Sequence, residues 1–310
     1  MKFAFVFPGQ GSQSVGMMLP FADSQAVRDV FSEASGVLQQ DLWALAAEGP
    51  ESELNATVNT QPVMLTAGYA VYRAWQEAGG PEPALVAGHS LGEYTALVVA
   101  GAVAFRDALP LVRFRAQAMQ EAVPMGAGAM AAILGLDDGA VRAACEEAAQ
   151  GEVVEPVNFN APSQVVIAGH GRAVERGVTA AKAKGAKRAV MLPVSAPFHS
   201  SLLKPAAERL AGYLGKLSFS APRIPVLNNV DVATESDPQR IKEALARQAC
   251  NPVRWVELVR RIAATGITHV AECGPGKVLA GMVRRIDSRL QSHSISDPAS
   301  LSQALQALKS

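Results

Sequence analysis

The stretch that decides the fold is VAGHSLGEY, residues 86–94, which contains the pattern G-x-S-x-G around Ser90. An apolar segment, residues 85–87, precedes the serine, and helix-forming residues follow it over 93–100. Between a strand and a helix, this pattern places a serine at the top of a sheet, with a helix N-terminus behind it. The helix dipole and free N–H groups there favour developing negative charge. The pattern therefore predicts a nucleophile; the alternative is a serine that only caps a helix after a glycine turn.

The composition is that of a globular protein with a sizeable core. The chain has 310 residues, of which 49% are hydrophobic and 18% charged. This is enough for one large domain, or for a large domain that carries a smaller one, and it argues against disorder. The formal net charge is zero, so no overall field favours nucleic acid or an anionic membrane surface.

The cysteines and the N-terminal sequence indicate in which cellular compartment the protein acts. Cys145, Cys250 and Cys273 are widely spaced, which predicts buried free thiols in a reducing compartment rather than a disulfide framework. The N-terminal apolar run, Phe3–Phe7, is too short for a signal peptide, and no uninterrupted apolar run reaches transmembrane length. We therefore expect a soluble cytoplasmic protein that makes no membrane contact.

Strand-like and helix-like segments alternate in both outer parts of the chain. Phe3–Phe7 predicts a strand, residues 62–79 predict a long amphipathic helix, and residues 84–88 predict a second strand. Near the end, residues 268–272 predict another strand, and the Ser/Gln/Ala-rich residues from Gln291 onward predict a peripheral helix. Repetition of strand, turn and helix implies a parallel sheet with helices on its faces.

The middle of the chain follows a different order, βαββαβ. The segments in this order are 129–134, 139–149, 153–159, 163–168, 173–184 and 188–194. This is the ferredoxin-like unit, and it lies between two parts of the chain that both predict the parallel sheet. We therefore predict an α/β protein. Its large α/β-hydrolase-like domain has a parallel sheet (residues 1–125 and 195–310) and is interrupted by a small ferredoxin-like α+β domain (residues 126–194).

A nucleophilic serine needs a base, and His199 is the best candidate among five histidines. It lies in the segment PFHS, residues 197–200, where the chain returns to the predicted large domain. The other four have structural interpretations: His89, His170, His269 and His293. The alternative for His199 itself is an ordinary histidine on a surface loop.

No carboxylate is found where a hydrolase triad would need one. In the order Ser, acid, His, it would lie between Ser90 and His199 at the end of a strand. Asp107, Asp137 and Asp138 lie instead at predicted helix starts, where N-capping explains them. The sequence is therefore not that of a simple esterase, and another acceptor, such as a backbone carbonyl, must hold the imidazole tautomer.

Arg115 falls on the apolar side of a predicted helix, residues 107–121. At helical spacing around it lie Leu111, Val112 and Met119. A buried arginine without a partner is unfavourable, and its planar fork suits a bound carboxylate. The alternative is an arginine whose head group reaches out to solvent.

Together these residues resemble the malonyl-CoA:acyl carrier protein transacylase family. The resemblance runs in order through essentially the whole chain, and the small domain is inserted where that family has it. The matching segments are FPGQGSQ (7–13), GHSLGEY (88–94), Arg115, PFHS (197–200), Gln248 with NPVRW (251–255), and GPG (274–276). The pair FPGQGSQ and GHSLGEY is far more specific than either segment alone.

The resemblance implies a two-step transfer of a malonyl group from malonyl-CoA to the phosphopantetheine thiol of acyl carrier protein, which supplies fatty acid synthesis. It implies that Ser90 carries the malonyl group as an ester and that His199 is the general base. The backbone carbonyl of Gln248 would orient the imidazole, and the backbone N–H groups of Gln10 and Leu91 would form the oxyanion hole.

The resemblance also implies how the substrate is selected. Arg115 would bind the free malonyl carboxylate, and Asn160 matches an asparagine that the family places near the site. In acyltransferase domains similar to this family, a phenylalanine before the catalytic histidine accompanies malonyl choice, and Phe198 agrees with that pattern. No metal and no permanently bound cofactor are implied. The expected partners are acyl carrier protein and the CoA thioester, and we expect a monomer.

Three other functions stay open at this point. A serine hydrolase, such as an acyl-CoA thioesterase, shares the Ser–His chemistry, but it predicts a triad carboxylate and gives no reason for Arg115 on an apolar face. A scaffold that only binds carrier protein would not need Ser90 or His199. A transacylase for another carboxylated acyl group, such as methylmalonyl, is compatible with Arg115.

Overall fold

The computed structural model describes residues 2–194 and 196–309, which form two β-sheets with helices around them. The strands in chain order are β1 (Phe3–Phe7), β2 (Leu85–Gly88), β3 (Gly128–Leu134), β4 (Val154–Ala161), β5 (Gln164–His170), β6 (Arg188–Met191), β7 (Val226–Leu227), β8 (His269–Cys273) and β9 (Gln291–Ile295). The α-helices are α1 (Gln25–Leu38), α2 (Leu42–Ala47), α3 (Glu51–Leu54), α4 (Thr57–Glu77), α5 (Gly92–Val99), α6 (Phe105–Glu121), α7 (Asp138–Ala149), α8 (Gly171–Ala183), α9 (Lys204–Leu214), α10 (Pro238–Gln248), α11 (Trp255–Ala264), α12 (Val278–Ile286) and α13 (Pro298–Leu308). Short 3₁₀ helices lie at Leu19–Phe21 and Ser201–Leu203.

The larger sheet consists of parallel strands in the order β7-β2-β1-β8-β9. Its central strand, β1, is buried along its whole length, because helices cover both faces of a parallel sheet. Successive side chains of a strand point to opposite faces. Phe3, Phe5 and Phe7 accordingly join one apolar cluster, whereas Ala4 and Val6 join another. The predicted parallel α/β sheet is confirmed.

The smaller sheet is antiparallel, with the strand order β4-β5-β3-β6. Helices α7 and α8 pack together on it and bury an apolar cluster that includes Ile133, Val165 and Val174. Counted within the unit, the order is 2-3-1-4, which is the ferredoxin-like arrangement of a βαββαβ segment. The predicted fold class is thus confirmed in both of its parts.

The domain division, residues 126–194 against 1–125 and 195–310, stays a prediction. Its second boundary falls on residue 195, which is outside the described residues, as are residues 1 and 310. Strand β4 is hydrogen-bonded to the chain that follows α10: Phe159 N–H donates to Val253 O, and Val253 N–H donates to Val157 O. The smaller sheet is therefore tied directly to the part of the chain that surrounds the larger one.

The prediction of a helix from Gln291 onward is wrong for its first residues. Residues 291–295 form β9, which pairs in parallel with β8 at the edge of the larger sheet, and the helix begins only at Pro298. The segment QSHSI is polar because an edge strand is half exposed, so it lacks the apolar run of a central strand. The long helix predicted over 62–79 also begins earlier, at Thr57, and contains Pro62 in its interior.

None of the helices in residues 2–194 and 196–309 combines the length and the hydrophobicity needed to cross a bilayer. The cytoplasmic location stays a prediction.

Trp75 on α4 anchors the aromatic side of β1. Its ring meets the ring of Phe5 edge to face at a centroid distance of 5.2 Å, and its indole N–H donates to Pro81 O at 2.9 Å. We expect Trp75→Ala to lower the free energy of unfolding by about 3–5 kcal/mol, because it removes a fully buried aromatic side chain. Urea denaturation measures this. Leu19→Ala, at a half-exposed side chain, is the control and should change stability by less than about 0.5 kcal/mol; equal losses would contradict the expectation.

Candidate active site

Ser90 lies on the tight turn between the end of β2 and the start of α5. Its backbone is left-handed, with φ of 51°, an unfavourable conformation for any residue other than glycine. The turn has no room for larger neighbours: a Cβ on Gly88 would lie 1.9 Å from the carbonyl carbon of Gly92. The two glycines of the motif are therefore required for close approach, and the turn projects the Ser90 hydroxyl beyond the sheet.

His199 contacts the serine directly. Its Nε2 lies 2.7 Å from Ser90 Oγ, and its Nδ1 lies 2.8 Å from the backbone oxygen of Gln248. Because a carbonyl oxygen only accepts hydrogen bonds, Nδ1 carries the hydrogen and donates it. Nε2 is then left to accept the hydrogen of the serine hydroxyl. The structure thus brings Ser90, His199 and Gln248 together, with a carbonyl where a hydrolase triad has a carboxylate.

The surroundings of His199 keep its ring neutral. Burial, followed by the nearby guanidinium of Arg115, lowers the pKa of His199 to about 3. Both causes act by making the imidazolium less favourable. At neutral pH the ring is therefore an unprotonated hydrogen-bond acceptor toward Ser90, as a general base must be.

Arg115 on α6 is 2% exposed, and the described residues that accept hydrogen bonds from its guanidinium are neutral. It donates from Nη1 to Gln61 Oε1 (2.9 Å) and from Nη2 to both Ser90 Oγ (3.0 Å) and Gln248 Oε1 (2.9 Å). Its charge also lies over the ring of Tyr94, 5.3 Å from the centroid. None of the ion pairs formed among residues 2–194 and 196–309 includes it. A buried cation without a direct counter-ion is a strong receptor for a carboxylate.

The loop after β1 lies against the Ser90 turn. A Cβ on Gly9 would lie 2.5 Å from His89 O, and one on Gly92 would lie 2.0 Å from Phe7 O. This close approach brings Gln10 and Leu91 to the wall of one cavity beside Ser90. The backbone N–H of Ser90 itself is already engaged, because it donates to Asn229 Oδ1 at 2.7 Å.

A cavity of about 460 Å³ opens over the serine. Its wall combines the Ser90 turn with residues of the smaller sheet and of α6: Met119 comes from α6, Met130 from β3, and Leu192 from the segment after β6. Phe198 also lines it, next to His199. The size suits the acyl end of a thioester rather than a whole coenzyme.

Asn160 lies behind the cavity wall. Its side-chain oxygen is 2.8 Å from His89 Nε2, and His89 lines the cavity together with Asn158. The structure therefore brings Asn160 close to the site, where it contacts a residue of the cavity wall, His89. The interpretation of His89 as a structural residue overlooked that it forms part of the wall.

The sequence-based prediction omits polar residues that are hydrogen-bonded to the reacting groups or to their partners, among them Gln61, Glu93 and Asn229. Glu93 Oε2 accepts hydrogen bonds from Asn229 N–H and from the Gln248 side chain, both at 2.9 Å. One signal could have identified Asn229: it follows the short strand β7, and carboxyl ends of neighbouring parallel strands meet at one edge of the sheet, where such sites form. Glu93 stands inside the GHSLGEY segment itself.

A strand–serine–helix turn, a histidine held by a carbonyl and a buried arginine beside the nucleophile together define an acyl-transfer site on an α/β sheet. Comparison of families agrees: residues 4–298 match the acyl transferase domain family, and the chain belongs to it. The chain is 57% identical, over 305 residues, to the malonyl CoA-acyl carrier protein transacylase of Salmonella typhimurium, covering 98% of this chain and 99% of that protein.

The fold of this chain is also similar to solved structures of transacylases. The crystal structure of acyl-carrier-protein S-malonyltransferase from Burkholderia pseudomallei 1710b is 67% identical with a TM-score of 0.98, and the match covers 99% of this chain and 100% of that one. A malonyl-transacylase solved in complex with a type II PKS acyl-carrier protein is 52% identical with a TM-score of 0.98, covering 99% and 100% of the two chains. The family resemblance drawn from the sequence is confirmed.

The lowered pKa of His199 has a consequence for stability. Because its pKa is about 3 in the folded protein and 6.5 in the unfolded chain, its contribution is fully present above pH 6.5 and is lost as the pH falls toward 3. We expect the free energy of unfolding to decrease between about pH 6.5 and 4.5, and His199→Asn to remove up to about 1.4 kcal/mol per pH unit from that slope.

Urea denaturation at several pH values measures the slope. Part of it should persist in His199→Asn, because burial also lowers the pKa of His89. Ser90→Ala, which keeps the imidazole, is the control and should retain the wild-type slope. Identical slopes for wild type and His199→Asn would show that His199 titrates normally.

Proposed function

We propose that this chain transfers a malonyl group from malonyl-CoA to the phosphopantetheine thiol of acyl carrier protein, through a malonyl ester on Ser90, and so supplies fatty acid synthesis. The observation that supports this most directly is the position of Arg115: a buried guanidinium with neutral partners donates to the nucleophile itself. An acyl group with a free carboxylate fits that receptor. The 57% identical relative is a malonyl CoA-acyl carrier protein transacylase.

In the first half-reaction, Ser90 Oγ attacks the thioester carbonyl of malonyl-CoA. His199 Nε2 takes the hydroxyl proton, while its Nδ1–H keeps its hydrogen bond to Gln248 O. The backbone N–H groups of Gln10 and Leu91 stabilise the oxyanion. The C–S bond then breaks, the protonated histidine gives its proton to the departing thiolate, and free CoA leaves a malonyl ester on the serine.

In the second half-reaction, the phosphopantetheine thiol of the carrier takes the place that CoA left. His199 accepts the thiol proton, the sulfur attacks the ester carbonyl, and the same oxyanion hole stabilises the intermediate. The bond between the acyl carbon and Ser90 Oγ then breaks, His199 returns the proton to Oγ, and malonyl-carrier is released from the restored enzyme. Every group that reacts comes from the chain or from the two thioesters, so the proposed reaction needs no bound metal or cofactor.

Arg115 selects the acyl group in this proposal. The malonyl carboxylate replaces neutral acceptors on the guanidinium and gains charge-assisted hydrogen bonds, which are about twice as strong as neutral ones. It also fixes the acyl chain, so that the incoming thiol meets the carbonyl in a productive orientation. Phe198 shapes the cavity beside the acyl group, whereas Asn160 acts on the wall through its hydrogen bond to His89.

The carrier protein as partner is supported by the 52% identical transacylase that was solved with an acyl-carrier protein. A serine hydrolase is less well supported, because His199 is held by a backbone carbonyl and not by a carboxylate. A transacylase for methylmalonyl remains the second candidate, since its acyl group carries the same carboxylate for Arg115. That the chain acts as a monomer stays a prediction.

The proposal is tested by intact mass after brief exposure to malonyl-CoA or, separately, acetyl-CoA. We expect wild type to gain one malonyl group, Ser90→Ala to gain none, and Arg115→Ala to acylate with malonyl at least about 100-fold more slowly, since it loses hydrogen bonds between charged groups. Acetylation of Arg115→Ala should not decrease to the same extent. Addition of pantetheinylated carrier should then remove the malonyl group from wild type as malonyl-carrier.

Arg113→Ala is the matched control. Arg113 lies on the same helix, but it donates to Leu38 O and to the Gln40 side chain, away from the serine, so this variant should acylate like wild type. Release of free malonate without a carrier-dependent product would favour the hydrolase. Absence of any adduct with every acyl-CoA tried would show that Ser90 is not the nucleophile.

A further inference from the structure

A second buried charge lies below the nucleophile. Glu93, in the first turn of α5, is 2% exposed. Asn229 N–H and the Gln248 side-chain NH₂ both donate to the same oxygen, Oε2, with nitrogen-to-oxygen distances of 2.9 Å. No ion pair among residues 2–194 and 196–309 includes it. The steps proposed above do not use this carboxylate, although both of its partners contact groups that react.

The first partner, Asn229, holds the turn. Its Oδ1 accepts the backbone N–H of Ser90 and its Nδ2 donates to Gly88 O, each at 2.7 Å. One amide therefore bridges the two sides of the left-handed turn, whose φ at Ser90 is 51°. The hydrogen bond from Asn229 N–H to Glu93 fixes where that amide stands.

The second partner, Gln248, contacts the base and the arginine. Its backbone oxygen accepts from His199 Nδ1, and its Oε1 accepts from Arg115 Nη2. Its Nε2 donates to Ser90 O at 3.0 Å as well as to Glu93. An ionised carboxylate only accepts, so it determines which way the Gln248 amide faces. The opposite orientation would place the NH₂ group against the guanidinium.

We propose that Glu93 is a positioning residue: through Asn229 and Gln248, its carboxylate keeps the nucleophile, the base and the arginine in one arrangement. It also balances the charge of Arg115 through an intervening amide, so that the guanidinium stays open to a substrate carboxylate. This inference rests on the proposed transacylase function, which it deepens by adding a residue that touches no reacting atom.

The titration of Glu93 gives a way to test this. Burial raises the pKa of its carboxyl to about 7, although hydrogen bonds from Gln248 and Asn229 and the charge of Arg115 oppose the rise. Since the pKa in the unfolded chain is 4.5, the contribution to stability is present below pH 4.5 and is lost as the pH rises through 7. An ionised Glu93 therefore destabilises the fold, and a neutral replacement should not.

The other charged or titratable groups around Glu93 are Tyr94, Arg115, Asp231, Glu235 and Arg247. The pKa of Tyr94 is raised to about 12 by burial. Hydrogen bonding to Arg247 lowers the pKa of Asp231, and backbone hydrogen bonds lower that of Glu235. Burial holds the pKa of His199 at about 3. A loss of rate between pH 8 and 6 therefore reports on Glu93.

The experiment compares wild type, Glu93→Gln and Glu272→Gln. Glu272 is a matched control: burial raises the pKa of its carboxyl to about 7 as well, but it accepts from the backbone of Ala280 on α12. Two rates are measured from pH 5 to 9: kcat/KM for malonyl transfer, and the rate at which a fluorophosphonate labels Ser90, read by intact mass. Thermal unfolding is followed at pH 8.

We expect both wild-type rates to fall as the pH drops below 7. Glu93→Gln should be at least about 10-fold slower at pH 8 by both readouts, because a neutral acceptor holds the two donors less strongly, and its rates should not fall further below pH 7. Its melting temperature should equal or exceed that of wild type. Glu272→Gln should retain both the wild-type rates and their decline. A merely structural role would lower the melting temperature of Glu93→Gln and leave the pH dependence of both rates unchanged.

Wild-type rates in Glu93→Gln at pH 8, or an unchanged decline below pH 7 in that variant, would overturn the proposal. If Glu93→Gln unfolds at a lower temperature than Glu272→Gln, Asn229→Ser decides: it removes the bridge but keeps the carboxylate, and it must slow Ser90 labelling at least about 10-fold for the proposal to stand. Labelling does not depend on the acyl group. A wild type that labels normally but takes up no malonyl group would refute the proposed function alone.

Discussion

The site depends on one backbone conformation, the left-handed turn at Ser90. Such a conformation destabilises a protein by about 1–3 kcal/mol unless its surroundings enforce it. Here they do so from three sides: glycines at positions 88 and 92 allow strand and helix to approach, the loop at Gly9 packs against the turn, and Asn229 bridges its backbone. The parallel sheet brings these pieces to one edge because its strands end there together.

The charge arrangement explains why the histidine is held by a carbonyl. Arg115 donates to Ser90 Oγ, so a triad carboxylate on His199 would stand close to the same guanidinium and could pair with it. A backbone oxygen of Gln248 orients the imidazole without adding charge. The carboxylate of Glu93 is separated from the arginine by the Gln248 amide. The carboxylate of Glu93 therefore balances the charge of the guanidinium without contacting it, and the guanidinium can still bind the carboxylate of a ligand.

The sequence predicts much of this site. The prediction fails for residues whose role depends on long-range contacts and not on a local sequence pattern. Ser90 and His199 were identifiable because their segments have fixed local contexts, and Arg115 because a charge on an apolar helical stripe conflicts with burial. Glu93 and Asn229 were harder to recognise: a glutamate early in a helix is an ordinary residue, and the position of Asn229 after a short strand is the one weak signal it gives. Their role follows from the hydrogen bond between Asn229 N–H and the Glu93 carboxylate, which joins residues 136 positions apart in the sequence.

The same reason accounts for the missed edge strand. In β9, QSHSI has too few apolar residues to indicate a strand, since this edge strand is fully buried only at its last residue. Its place is fixed by pairing with β8, which is a long-range contact. By contrast, β1 is apolar throughout because it lies at the centre of the sheet, and for that reason its sequence alone was sufficient.

Burial moves the ionisable groups of the site toward their neutral forms: it lowers the pKa of His199 and of Arg115 and raises that of Glu93. For His199, the neutral imidazole is the form that can accept a proton as a general base. For the arginine it leaves a cation whose hydrogen-bond acceptors, on Gln61, Ser90 and Gln248, are neutral. In the proposed function, a carboxylate on the acyl group would place a counter-charge in direct contact with Arg115, next to the nucleophile, so the substrate would complete the electrostatics of the site. An acyl group without a carboxylate leaves Arg115 as it was and gains nothing from being bound there.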